Sequence, residues 1–248
     1  MVTIFVHRQG RCDQVTSIDR VWLNPASGAT LWVDLESPSI PESLILSDTF
    51  GFHRLAVEDA MSRGQIPKVE PYDGYLFSVL RGADGEVDFF VGPTFLVTIH
   101  RGESKAVAEF ADNARHSPKP LVDGPVGLFH LIVDKLIDGY RPLTERLGER
   151  VEAIEKQLFD KASPTLVRDV LDLRRDVFEM AQVAAGQRDI VQRLARREFV
   201  DISTEMAFRF RDVHDHLVRL SREADALGDR VAGLLTAGVA LAGARRWL

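Results

Sequence analysis

Two groups of charged side chains have the residue types and the spacing that cation binding requires. Glu58 and Asp59 are adjacent in the chain, and Asp212, Asp215 and His216 lie close together much further along. Carboxylate oxygens suit a hydrated hard cation such as Mg²⁺, which keeps several water ligands and takes only one or two carboxylates. The chain therefore offers two candidate groups of ligands for a divalent cation.

Spacing alone leaves a simpler interpretation of both groups open. Consecutive residues on a helix point about 100° apart, so Glu58 and Asp59 cannot hold one ion together and would serve different sites or solvent. Asp212 and His216 are four residues apart and share a helix face. Acids are mostly exposed in proteins, so spacing by itself favours ordinary solvated charge in both places.

The first half of the chain must supply the elements that position Glu58 and Asp59. It alternates between β-rich runs and short amphipathic segments, and Asp84-Gly85 and Gly92-Pro93 indicate turns. The predicted strands are Val2–Val6, Leu31–Leu35, Lys68–Arg81 (one strand or hairpin arm), Val87–Val91 and Phe95–His100. The predicted helices are Pro41–Phe50, Phe52–Met61 and Ser104–Ala114, and the core-facing residues of the second are expected to be Leu55, Ala56, Ala60 and Met61.

The apolar pattern of the second half predicts long helices. One is predicted from Pro125 to Leu158, after the loop Ser117–Gly124. A second is expected to begin at Pro164 with Ser163 as its cap, and a third near Asp201–Ser203 with Ser203 as its cap. The chain is therefore predicted to be α+β, with an N-terminal α/β layered sheet followed by long antiparallel helices and a stalk-like C-terminal helix.

The third long helix carries apolar or small residues in regular steps of four and three. Such a seam is typical of helices that self-associate, although it also suits packing on a neighbouring helix of the same chain. Small residues within the seam make intrachain packing the simpler interpretation from the pattern alone. The seam positions are Val213, Leu217, Leu220, Ala224, Leu227, Val231, Leu234, Gly238 and Leu241.

Composition excludes several classes of function. A net charge of −6 argues against a nucleic-acid partner, which would require a basic face. The single cysteine, Cys12, excludes an intramolecular disulfide and a thiolate metal cluster. The longest uncharged run, Val231–Ala244, is shorter than the roughly 20 apolar residues of a membrane span.

The sequence also gives little support to an enzymatic function. It contains no phosphate-binding Gly-rich loop with Lys, no Gly-x-Ser-x-Gly turn and no Cys/His nucleophile pair. His214-Asp215 is similar to the His-Asp pair of metal-dependent phosphohydrolases, but only His130 and Asp134 lie nearby as further ligands. We therefore predict that the protein is not an enzyme.

Two motifs carry a resemblance to a known family. The block Leu55–Leu80 contains Leu-x-x-Glu-Asp, Pro-Lys-Val-Glu and Tyr-x-x-Tyr-Leu-Phe in that order, and Phe210–His216 reads Phe-Arg-Asp-Val-His-Asp-His. Both resemble the cytoplasmic domain of CorA-type divalent-cation transporters, over about Thr30 to Arg245. One departure is Arg54, where the family usually has proline.

The resemblance implies a set of metal ligands and an assembly. Family members are homopentamers whose cytoplasmic domains bind divalent cations between neighbouring subunits, and the matching carboxylates here are Asp59 and Asp212. A second family site corresponds to Glu58, Asp134 and His216. The implied ion is a regulatory Mg²⁺, with Co²⁺ or another divalent cation as an alternative. The resemblance also favours self-association of the third long helix, which matches the family's stalk.

Three parts are expected on this basis: an α/β cytoplasmic domain at 1–120, a long helical hairpin at 121–200, and a stalk helix at 201–248 that ends before the membrane. The family's Gly-Met-Asn pore motif is not found. The expectation is a cation-sensing domain on the cytoplasmic side of the cell membrane, joined to the membrane only through a further C-terminal segment and not conducting ions by itself. The alternative is a soluble stand-alone helical interaction protein related to the family that has lost transport.

Overall fold

The computed structural model describes residues 1–160, 164–199 and 202–244. Its sheet has seven strands in the order β2-β1-β3-β7-β6-β5-β4, and every neighbouring pair is antiparallel except β3 and β7. The strands are β1 Val2–Arg8, β2 Arg11–Val15, β3 Thr30–Glu36, β4 Lys68–Tyr72, β5 Tyr75–Gly82, β6 Gly85–Val91 and β7 Phe95–His100. The predicted α+β class is confirmed.

The sheet departs from the prediction at two places. The segment Lys68–Arg81 forms two antiparallel strands, β4 and β5, because Asp73-Gly74 makes a two-residue turn in which Gly74 has φ +80°. Strand β2 was not predicted because Arg11–Val15 is mostly polar, and it pairs with β1 at the edge of the sheet.

The described residues form seven α-helices, which surround and extend this sheet. Three short 3₁₀ turns lie at Arg20–Leu23, Pro25–Ser27 and Lys119–Leu121. The helices are α1 Ile40–Asp48, α2 Arg54–Met61, α3 Lys105–His116, α4 Gly124–Asp138, α5 Arg141–Asp160, α6 Pro164–Ala195 and α7 Thr204–Ala244. Among the described residues, no helix combines the length and the apolar composition that a membrane crossing requires.

Each face of the sheet is covered by different helices. Phe52, Ala56 and Ala60, at and before α2, pack with strand residues such as Phe77 and Phe90 on one face. Helices α3 and α4, together with the long helices, build the core on the other face. The expectation that Leu55 faces the core is wrong: its side chain is 58% exposed. On so short a helix the buried stripe is Ala56 and Ala60, and Leu55 lies about 100° away from it.

The helix predicted from Pro125 to Leu158 is two helices. Helix α4 ends at Asp138 and α5 begins at Arg141. Pro142 explains the break, because proline has no N–H to donate to a carbonyl four residues earlier. The chain is fixed at this corner by Tyr140, whose ring is buried and whose hydroxyl donates to the carbonyl oxygen of Arg81 at 2.9 Å.

Helices α6 and α7 form a long antiparallel pair, and the apolar seam of α7 is buried within the chain. Val213, Leu217 and Val231 have no exposed surface, and the seam as far as Leu234 belongs to the core that also contains α5 and α6. The expectation that this seam is a self-association surface is therefore wrong for the described residues, because helices of the same chain already cover it. The burial of Gly238 and Leu241 lies outside what the structure describes.

The predicted caps have different outcomes. Ser203 caps α7 as predicted, since its Oγ accepts a hydrogen bond from the backbone N–H of Met206 at 3.1 Å. The predicted cap Ser163 lies outside the described residues, as does Asp201.

Candidate metal centre

Helices α4 and α7 bring three potential metal ligands together. Asp134 and Asp138 lie one turn apart on α4, and His216 approaches them from α7. One ligand atom from each of the three lies within 4.8 Å of the other two, and no other such group occurs among the described residues. His216 Nδ1 is 3.7 Å from Asp134 Oδ1 and 3.9 Å from Asp138 Oδ1.

The electrostatics of this group favour an added cation. Asp134 Oδ1 is buried and has no hydrogen-bond partner. Burial and the neighbouring charge of Asp138 raise the pKa of Asp134, and the nearby His130 and His216 only partly oppose them. A divalent cation would supply the missing partner and would neutralise the two acids. The two carboxylates suit a hard cation such as Mg²⁺ with water in its remaining positions, and the imidazole would also suit a divalent transition-metal ion.

Asp212 lies at the edge of this group. Its Oδ2 is 3.9 Å from His216 Nε2, and its side chain is 76% exposed. A cleft of about 680 Å³ opens beside the group and is lined by Asp138, His216, Tyr140 and Arg219, among others. The exposed acid and the open cleft leave this side of the group accessible to solvent, to an ion and to another chain.

The two acids of α2 lie elsewhere. Glu58 is exposed, and its backbone carbonyl accepts a hydrogen bond from Ser62 Oγ at 2.8 Å. Asp59 is one-third exposed and accepts a hydrogen bond from Lys68 Nζ. Because α2 and α4 cover opposite faces of the sheet, a single chain does not join Glu58 or Asp59 to Asp134.

The structure therefore separates the five ligands that the family resemblance implied into two groups. Asp134, His216 and Asp212 are neighbours, whereas Glu58 and Asp59 are apart from them. Sequence reasoning missed Asp138, although its position four residues after Asp134 on a predicted helix was a usable signal. It also missed Lys68 as the partner of Asp59, because the two belong to different elements.

The sheet contains a second buried polar cluster, whose members are paired with one another. Asp34 on β3 accepts a hydrogen bond from Thr98 Oγ1 at 2.6 Å and lies 3.3 Å from His100 Nε2. Trp32 Nε1 donates to Thr98 Oγ1 at 3.1 Å. Burial opposes the charge of His100, but Asp34 outweighs it and the pKa of His100 is raised. These contacts join the parallel strands β3 and β7, so the cluster has a structural role.

Comparison with known proteins agrees with this fold. The model of the family "CorA-like Mg²⁺ transporter protein" matches residues 27–239. YfjQ of Bacillus subtilis, a protein assigned as a metal ion transporter, is 34% identical over 219 residues, which are 86% of this chain and 69% of YfjQ. The chain thus belongs to the CorA-like family of divalent-cation transporters, as its two motifs indicated.

Two further relatives extend the comparison. The cobalt/magnesium transport protein CorA of Thermotoga maritima is 23% identical over 204 residues, which are 77% of this chain and 57% of that protein. The solved soluble domain of CorA from Methanocaldococcus jannaschii superposes with a TM-score of 0.83 at 16% identity, covering 97% of both chains. At that identity the superposition establishes the fold. The chain spans little more than half the length of the Thermotoga relative.

Proposed function

We propose that this chain is the divalent-cation-sensing part of a CorA-like magnesium and cobalt transporter and lies on the cytoplasmic side of the membrane. The observation that carries this proposal is the group Asp134, Asp138 and His216, in which one buried carboxylate oxygen has no hydrogen-bond partner. The family itself transports divalent cations, so a divalent cation is a natural ion for an acidic group of this kind to bind.

The proposed ligands come from two subunits. In one chain, Asp59 lies on the opposite side of the sheet from Asp212, so neither can complete a site with the other in the same chain. A second copy that places its α2 against α7 would bring Asp59 to Asp212, and Glu58 to Asp134 and His216. This arrangement requires a homo-oligomer, for which the family resemblance suggests a pentamer.

Gating would follow from charge. A bound Mg²⁺ or Co²⁺ neutralises the facing carboxylates and holds neighbouring subunits together, whereas without it the acids repel one another. The cation therefore shifts the population towards the closed assembly. Its loss loosens the interface and changes the position that α7 prefers. In this scheme all three parts supply ligands: the sheet domain at 1–120, the hairpin at 121–200 and the helix from 201 onward. Because that helix carries Asp212 and His216, it also transmits the change.

Charge reversal at the proposed interface should weaken the response of assembly to Mg²⁺. Asp59→Lys and Asp212→Lys each replace a ligand with a cation, so we expect the Mg²⁺ concentration needed for assembly to rise by at least about tenfold, equivalent to roughly 1.4 kcal/mol. Sedimentation velocity over a Mg²⁺ titration measures that concentration.

The matched control is Asp225→Lys, the same reversal at an exposed position further along α7. It should respond to Mg²⁺ as the wild type does. If both interface variants also kept the wild-type midpoint, the proposed sensing by Asp59 and Asp212 would be wrong.

A further inference from the structure

Lys68 is already paired with Asp59, one of the carboxylates that the proposed site requires. Its Nζ donates a hydrogen bond to Asp59 Oδ2 and lies 3.4 Å from both carboxylate oxygens of Glu70. The same ammonium lies 5.3 Å from the centre of the Phe77 ring, within the range of a cation–π contact. Asp59 is therefore paired inside its own subunit before any metal ion arrives.

The surroundings hold the Lys68 ammonium in this position. Lys68 begins β4, and its backbone carbonyl accepts a hydrogen bond from Ser78 Oγ of β5 at 3.0 Å. The Lys68 side chain is only 24% exposed, so its charge is less accessible to water than that of a typical surface lysine. The ammonium is thus attached to a paired strand and directed at α2.

We propose that Lys68 is a tethered cation that competes with the divalent ion for Asp59 and so sets the concentration at which the proposed site fills. This inference rests on the proposed function. An ammonium and a divalent ion repel each other when both lie against one carboxylate, so binding the ion requires Lys68 to withdraw. The positive charge of Lys68 thereby raises the concentration of divalent ion that is needed to fill the site.

Glu70 gives the displaced ammonium a second acceptor. Its carboxylate already lies close to Lys68 Nζ, and Tyr72 donates a hydrogen bond to Glu70 Oε2 at 3.3 Å. Lys68 can therefore release Asp59 and remain paired, which avoids leaving a partly buried charge without a partner. Glu70 should thus favour the metal-bound state, although it does not contact the metal.

Two variants with opposite expected effects on the Mg²⁺ midpoint test the inference. Lys68→Met keeps much of the apolar stem and removes the competitor, so the Mg²⁺ midpoint for assembly should fall by about three- to tenfold. Glu70→Gln removes the alternative acceptor of the ammonium, so the midpoint should rise by about two- to threefold. Sedimentation velocity and titration calorimetry of the full chain with MgCl₂ measure both shifts.

Two controls separate competition from a general loss of charge. Lys68→Arg keeps the positive charge, so its midpoint should lie closer to the wild-type value than that of Lys68→Met. Lys156→Met removes one exposed charge from α5 and should leave the midpoint unchanged. Circular dichroism confirms that each variant is folded, and Glu70→Gln still provides the test if Lys68→Met does not fold.

The outcomes distinguish this inference from the proposed function. If the wild type responds to Mg²⁺ and Asp59→Lys raises the midpoint as expected, but Lys68→Met keeps or raises the wild-type midpoint, Lys68 is only structural and the inference is overturned. Should Lys68→Met be unfolded, an unchanged midpoint in Glu70→Gln overturns it equally. If the wild type itself ignores Mg²⁺, the proposed function fails and this inference fails with it.

Discussion

Replacing Asp88 with asparagine is expected to stabilise the protein at pH 7.5 by about 2–4 kcal/mol in the free energy of unfolding. Asp88 lies on β6, and only 3% of it is exposed. Its Oδ1 has no hydrogen-bond partner, in a cavity of about 90 Å³ that Glu86, Arg81 and Arg101 also line. A buried carboxylate is costly to ionise, whereas a buried amide is neutral.

The pH dependence has a defined sign. Burial, reinforced by Glu86, raises the pKa of Asp88 from 3.8 to about 8, and Arg101 and Lys68 oppose the shift. The native state therefore keeps a proton that the unfolded chain releases above about pH 4. The stability associated with that proton is complete below about pH 4 and is lost progressively towards pH 8, by up to roughly 1.4 kcal/mol per pH unit.

Denaturant unfolding across this range measures the effect. The wild type should lose stability from pH 4 to pH 8 more steeply than Asp88→Asn, in which this group cannot titrate. Asp73→Asn is the control, because Asp73 is exposed in the turn between β4 and β5 and the change removes the same charge. Parallel pH profiles of the wild type and Asp88→Asn would contradict the prediction.

Truncating Phe210 should destabilise the protein by about 3–5 kcal/mol, which is typical of a large aromatic residue in a core. Phe210 has no exposed surface, and its ring lies 5.7 Å from that of Phe129 on α4 and 5.2 Å from that of His130. Phe129 in turn meets Phe89 of β6 at 5.0 Å. Phe210→Ala would thus leave a cavity where α7 meets the helix layer on the sheet.

The matched control is two residues away on the same helix. Phe208 is 59% exposed, so Phe208→Ala should change the free energy of unfolding by no more than about 0.5 kcal/mol. Unfolding in urea with EDTA present keeps any metal-dependent assembly out of the measurement. Similar losses in the two variants would mean that α7 is not packed on α4 as described.

The sequence predicted elements better than it predicted their partners. The steps of four and three in α7 correctly indicated one long helix, but a periodic seam does not say which helix covers it, and α5 and α6 do. Asp73-Gly74 indicates a hairpin turn and Pro142 indicates a helix break. Neither was predicted, because the periodic pattern continues across both positions. Strand β2 had no apolar signal, because an edge strand can remain largely polar.

The candidate site shows a similar limit. Four residues of separation place Asp212 and His216 on one face, so local spacing predicted that part of the group. Asp138 followed the same rule and was overlooked. The Lys68–Asp59 contact and the burial of Asp88 depend on which strand lies under which helix, and local sequence does not carry that information.

The mass of the chain in solution, measured with millimolar Mg²⁺ and again with excess EDTA, tests the central claim most directly. If a divalent cation holds neighbouring subunits together, the Mg²⁺ sample should contain a species of several chains that returns towards the single-chain mass in EDTA. The same mass in both conditions, over a range of protein concentrations, would contradict cation sensing between subunits.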